Sequence, residues 1–171
     1  PEDAKRLILV FERREMPVMI VEKDRMYLNF VNDAVRRAQA DISTPVPETG
    51  VYTGEEIYQF ILYDRGWEAD ELVRTLNQSR MIRWHERAVD VIPEKGGKVA
   101  GIRRFLEDCS ISQEEIMAFG DGENDMDMLK FAGTGIAMGN ADTQVKAIAD
   151  EVTESVDENG VVRALYRHGL L

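Results

Sequence analysis

The stretch Gly120-Asp121-Gly122-Glu123-Asn124-Asp125-Met126-Asp127-Met128-Leu129 restricts the possible folds of this chain more than any other. It follows Ile116-Met117-Ala118-Phe119, a short uncharged apolar run that fits a strand buried on both faces of a parallel sheet. Beyond it, Met126, Leu129 and Phe131 fall at roughly helical spacing, and Gly133 stands where a C-terminal cap belongs. The order is strand, glycine-rich acidic turn, helix. Open parallel sheets bind ligands beyond the carboxyl ends of their strands. This turn puts Asp121, Asn124 and Asp125 there.

The residue types suggest a chemistry. A carboxylate at the strand tip suits a hard cation such as magnesium, which takes oxygen ligands and shares one or two carboxylates with substrate phosphate. Gly120 and Gly122 permit a tight path and the close approach of a ligand. Asn124 can cap the helix or donate to a phosphate oxygen, and Asp125 is better suited to holding a nearby cation than to touching an anionic substrate. The competing explanation is an acidic helix start favoured by the helix dipole. It suffices for Asp127 but not for Asp121, Asn124 and Asp125 together.

These residues resemble the fourth motif of the haloacid-dehalogenase-like phosphohydrolases, in the form of the Cof-type sugar-phosphate phosphatases. The resemblance continues through Gly135-Ile136-Ala137-Met138-Gly139-Asn140-Ala141, and Ile92-Pro93 with Lys98 matches the region of that family's third-motif lysine. It is close from about Val91 onward and looser before. It implies a magnesium-dependent phosphohydrolase of small phosphorylated metabolites, sugar phosphates among them, working through a phosphoaspartyl intermediate. Asp121 would be the metal ligand. Lys98 and Asp125 would be catalytic, and Lys98 and Asn124 would bind phosphate.

Composition limits the partners. The 171 residues are 44% hydrophobic and 31% charged, which reads as a globular chain. A net charge of -11 argues against nucleic acid and anionic membranes, and makes a phosphate substrate awkward without a metal and a lysine. No apolar run approaches the ~20 residues of a membrane span, and no signal peptide is visible. The lone Cys109 excludes an internal disulfide and fits a cytoplasmic setting; its acidic neighbours argue against a reactive thiolate.

The first half reads as an α+β layer, residues 1–92. Pro1-Glu2-Asp3 opens a helix whose apolar face is Leu7, Ile8, Val10 and Phe11. Pro17–Val21 and Met26–Leu28 form a hairpin, Phe30–Ala40 a helix, and residues 42–54 a loop. Ile57–Tyr63 is a strand with Asp64-Arg65-Gly66 as its exit. A helix covers 69–77, and 81–85 and 88–92 are two further strands. The expected sheet has roughly five strands backed by helices. The resemblance implies that this is a cap domain. His85 reads as structural, His168 as a charge favourable at a helix end, and Trp67 as core or rim.

Residues 93–171 read as a parallel α/β layer, part of a doubly wound, Rossmann-like core. Glu94–Lys98 is a connector, and a helix from Val99 to Asp108 has Ile102, Phe105 and Leu106 as its apolar face. A lysine at that helix start opposes the dipole, which suggests a site role for Lys98: a point charge for a phosphate oxygen and a nearby aspartate. Ile136–Met138 is a strand, a helix starts at Asn140-Ala141-Asp142, residues 149–153 form an edge strand, and Gly160 opens the last helix. Gly133–Gly139 is not a dinucleotide loop, since it precedes a strand rather than following one. Asp121–Ala132 is not a calcium loop, since Met126 and Ala132 replace the needed glycine and glutamate.

The family's first motif, a strand ending in Asp-x-Asp, has no counterpart ahead of the α+β layer. Asp64 and Asp90 are in the wrong half. The expectation is therefore the cap and second core half of a larger enzyme. The nucleophile would lie on an N-terminal segment, here a partner in the same protein, and the 171 residues alone would be inactive. A non-catalytic binding module that kept the fold is the alternative.

Overall fold

The computed structural model describes residues 2–64 and 66–171. Pro1, expected in the first helical turn, and Arg65, expected in a strand exit, lie outside the described residues. The chain divides into two compact units, Pro1–Glu94 and Lys95–Leu171.

In the first unit, β1 (Val18–Glu22), β2 (Met26–Leu28), β3 (Ile57–Tyr63), β4 (Ser79–His85) and β5 (Ala88–Pro93) form one antiparallel sheet. Their spatial order is β2-β1-β3-β5-β4. Alternation along the strands sends side chains to two faces, and both are covered. On one, Val18, Ile20, Phe60, Leu62, Val89 and Val91 pack with Leu7, Val10 and Phe11 of α1 (Glu2–Arg13) and with Ala69 and Val73 of α3 (Glu68–Val73). On the other, Met19, Tyr63 and Ala88 meet Ala34, Val35 and Ala38 of α2 (Asp33–Asp41). Full burial of such side chains stabilises by roughly 1.5–3 kcal/mol each.

Several boundaries differ from expectation. The helix expected from Phe30 begins at Asp33, because the Asn32 side chain accepts the Val35 N–H at 3.1 Å and caps it. The helix expected over 69–77 stops at Val73: the Thr75 hydroxyl and N–H both turn back to the Leu72 carbonyl, while Leu76 stays buried. The strand expected over 88–92 runs on to Pro93, which pairs with Ser79.

In the second unit, β6 (Met117–Gly120), β7 (Thr134–Ala137) and β8 (Glu151–Val152) form a parallel sheet in that order. The crossovers carry α5 (Met126–Phe131) and α6 (Thr143–Ile148); α4 (Lys98–Cys109) precedes β6 and α7 (Gly160–Arg167) follows β8. Ala118, Leu129, Ala137 and Val145 are central to the core. Phe105 corrects the expected apolar face of α4, being 61% exposed while Leu106 is buried. Gly133 is no left-handed cap either. A Cβ there would lie 2.5 Å from the Glu114 carbonyl oxygen, so close backbone approach explains this glycine. No helix among the described residues is long and apolar enough to cross a membrane.

Candidate active site

The second unit builds a compact polar cluster at the carboxyl end of β6. Gly120 ends the strand, Asp121 and Gly122 turn, and Glu123–Asp125 form a single 3-10 turn leading into α5. The Asp125 side chain folds back into this turn. Its Oδ2 accepts the N–H of Asp121 at 3.0 Å and of Gly122 at 3.2 Å. Its Oδ1 accepts the ammonium of Lys98. This return path requires a bare Gly120, where a Cβ would fall 2.4 Å from the Asp125 Cβ.

Lys98 is the first residue of α4, following Gly97. Gly97 has φ 104°, the left-handed region that glycine enters without a steric penalty. The cost of a cation at a helix start is offset by its pairing with Asp125, whose side chain is 10% exposed against 48% for Lys98. Burial pushes the Asp125 carboxyl up. Hydrogen bonds from Lys98 and from the Gly122 and Asp121 amides outweigh that and hold it below its ordinary value.

Asp121 is exposed. Its Oδ2 accepts from Asn140 Nδ2 at 2.8 Å, and its Oδ1 has no hydrogen bond among the described residues. The Asn124 side chain lies over Gly122, where an added Cβ would meet its Oδ1 at 2.5 Å; it too makes no hydrogen bond among the described residues. Lys98, Asp121 and Asp125 are therefore joined through one carboxylate, with Asn124 beside them. The residue that sequence reasoning passed over is Asn140, read there as a helix start. Asp142 is the N-cap of α6 instead. Its available signal was topological: turns after adjacent parallel strands meet at the same sheet edge.

His85 lies in the first unit, where its Nε2 is 3.0 Å from Asp41 Oδ2 and its Nδ1 accepts the Arg87 N–H. Trp67 is 64% exposed. His168 caps α7 and bonds Glu151 at 2.9 Å.

A strand-tip aspartate, a glycine turn and a lysine–aspartate pair come together at the carboxyl end of a parallel, Rossmann-like sheet. The model of the haloacid dehalogenase-like hydrolases matches residues 1–165, and the chain belongs to that family. The Cof-type form suggested by Gly120–Leu129 agrees with its relatives. The chain is 36% identical over 175 residues to a putative phosphatase, YkrA, of Bacillus subtilis strain 168, covering 100% of this chain and 68% of that protein. It is 30% identical, with a TM-score of 0.84, to a sugar phosphatase of HAD subclass IIB, BT4131, covering 99% of this chain and 67% of that one. BT1666 of Bacteroides thetaiotaomicron, a phosphatase of the same superfamily, matches at 30% identity and a TM-score of 0.83, covering 99% and 65%. The chain thus spans about two thirds of the length of these proteins.

The family implies magnesium, and the residues fit it. Among the described residues no three His, Cys, Asp or Glu side chains gather in a metal-holding group. The turn instead offers one aspartate oxygen without a hydrogen bond, beside a glycine cradle. Magnesium commonly takes one or two carboxylates and completes its shell with water and phosphate oxygens.

Proposed function

We propose that the whole protein is a magnesium-dependent phosphatase of small phosphorylated metabolites, sugar phosphates foremost, acting through a phosphoaspartyl intermediate. The nucleophilic aspartate is expected on a segment outside these residues. Residues 1–92 would act as cap and 93–171 as the second half of the core. The chain's own part is binding and electrostatics. Asp121 holds the divalent ion, which when bound offsets charge on the transferred phosphoryl group. Lys98 holds a phosphate oxygen, Asp125 fixes Lys98 and the turn, and Asn124 donates to phosphate. The observation that carries this reading is the Asp125 carboxylate shared between the Lys98 ammonium and the Asp121 and Gly122 amides.

The test is turnover of a panel of sugar phosphates by the full-length protein, with and without magnesium. Asp121→Asn is expected to abolish the metal-dependent rate. Undiminished turnover by that variant rejects the ligand assignment, and a full-length protein without metal-dependent hydrolysis favours a binding module.

A further inference from the structure

Asn140, on the loop between β7 and α6, has no role in the reading above. β6 and β7 run in register, Gly120 opposite Ala137, so the turns that follow them emerge side by side. Asn140 Nδ2 donates to Asp121 Oδ2 at 2.8 Å, and Asn140 Oδ1 accepts from the Val156 N–H at 3.1 Å. The second contact fixes the orientation of the first. A backbone N–H can only donate, so the amide oxygen faces Val156 and the NH2 faces the carboxylate.

The loop carrying this amide is tied down independently. Gly139 donates to the Glu154 carbonyl at 3.1 Å, and Ala141 to the Met138 carbonyl at 2.9 Å. A Cβ on Gly139 would lie 2.6 Å from the Ser155 nitrogen, so the loop sits directly on the segment that supplies the Val156 amide. Asp121 itself is exposed, and its carboxylate makes no other hydrogen bond among the described residues. An exposed aspartate left alone would sample several rotamers, and ordering it on ion binding would weaken that binding.

We propose that Asn140 is the positioning residue of Asp121: it holds Oδ2 so that Oδ1 is presented to a divalent cation, and the Val156 N–H in turn holds Asn140. This rests on the assignment of Asp121 as ligand. Asn140 touches neither ion nor ester. Outer partners of this kind typically contribute 10–100-fold to metal affinity by fixing ligand orientation.

The experiment measures Mn2+ affinity of the full-length protein by electron paramagnetic resonance, for wild type, Asp121→Asn, Asn140→Ala and Val156→Pro. The proline removes only the orienting N–H, at the first position of a 3-10 turn after an extended Ser155, where proline is tolerated. Asn140→Ala is expected to weaken Mn2+ binding about 10-fold or more, and Val156→Pro to weaken it less, in the same direction. In assays, the magnesium activation constant of Asn140→Ala should rise while the substrate KM at saturating magnesium stays at the wild-type value. A merely structural tether would move the unfolding temperature without that split. Loss of affinity in Asp121→Asn with wild-type affinity in Asn140→Ala overturns the positioning role and leaves the ligand assignment standing. Wild-type affinity in Asp121→Asn overturns both. If Asn140→Ala does not fold, Val156→Pro decides alone: wild-type affinity in that variant overturns the proposal.

Discussion

Gly120 is the residue on which the turn's geometry is most tightly dependent. Its missing side chain is replaced by the Asp125 side chain, with 2.4 Å between an added Cβ and the Asp125 Cβ. Gly120→Ala must therefore push Asp125 off the Asp121 and Gly122 amides. The expected cost is about 1–3 kcal/mol, the range for overpacking, with loss of turnover; chemical denaturation and assay of the full-length variant check both. Lys98→Met should behave differently. The ammonium is 48% exposed, so little stability is expected to be lost. Turnover should fall about 10²–10³-fold, as when one stabilising charge or donor is removed from a transition state. An unchanged rate would free Lys98 of any catalytic part. At this scale the sequence was informative where chemistry was local. Asp121, Gly122, Asn124 and Asp125 are neighbours in the chain, and Lys98 was legible because a cation at a helix start needs a reason. Asn140 was not legible, because its partner is set by the tertiary register of β6 against β7.

Among the elements, β3 was legible to the residue because Ile57–Tyr63 is an apolar and aromatic run broken only by Gln59. Helix ends were less so. The periodicity of Leu72, Val73 and Leu76 continues past the point where Thr75 ends α3. Phe105 and Leu106 both lie at helical spacing from Ile102, yet periodicity alone does not say which of them faces the core. A buried amide that pattern reading does not weigh joins α1, β1 and β2. Asn29 accepts from the Val18 and Phe30 N–H groups, both at 2.9 Å, and donates to the Phe11 and Met16 carbonyls at 3.0 and 2.9 Å. Both donors and both acceptor lone pairs of its side chain are thereby used. Asn29→Ala should cost on the order of 3 kcal/mol, because several buried groups lose their partner at once; urea unfolding measures it. At the half-buried start of α2, Asn32→Ala should cost only about 1 kcal/mol.

For the whole molecule, acid sensitivity follows from carboxylates that the fold stabilises in charged form. Burial raises the Asp3 carboxyl, but the Gln78 and Asn77 amides and the Ser79 hydroxyl overcome it and hold it below its usual value. Arg167, foremost, draws Glu154 down to about 2. Groups with depressed folded values contribute stability that is complete above the unfolded carboxylate range and is lost as pH falls through the folded values. The unfolding temperature should therefore hold near neutrality and fall below about pH 4. Asp3→Asn should flatten part of that acid slope; a slope identical to wild type would remove Asp3 from this account.

The pairing of Lys98 with Asp125 also bears on the sequence of arrivals at the site. At rest the ammonium is already answered by one carboxylate, while Asp121 brings a second, so an incoming phosphate ester meets excess negative charge. A divalent ion reverses that sign. Encounter should thus be ordered, metal first and ester second, with a substrate on-rate that climbs as magnesium is titrated in.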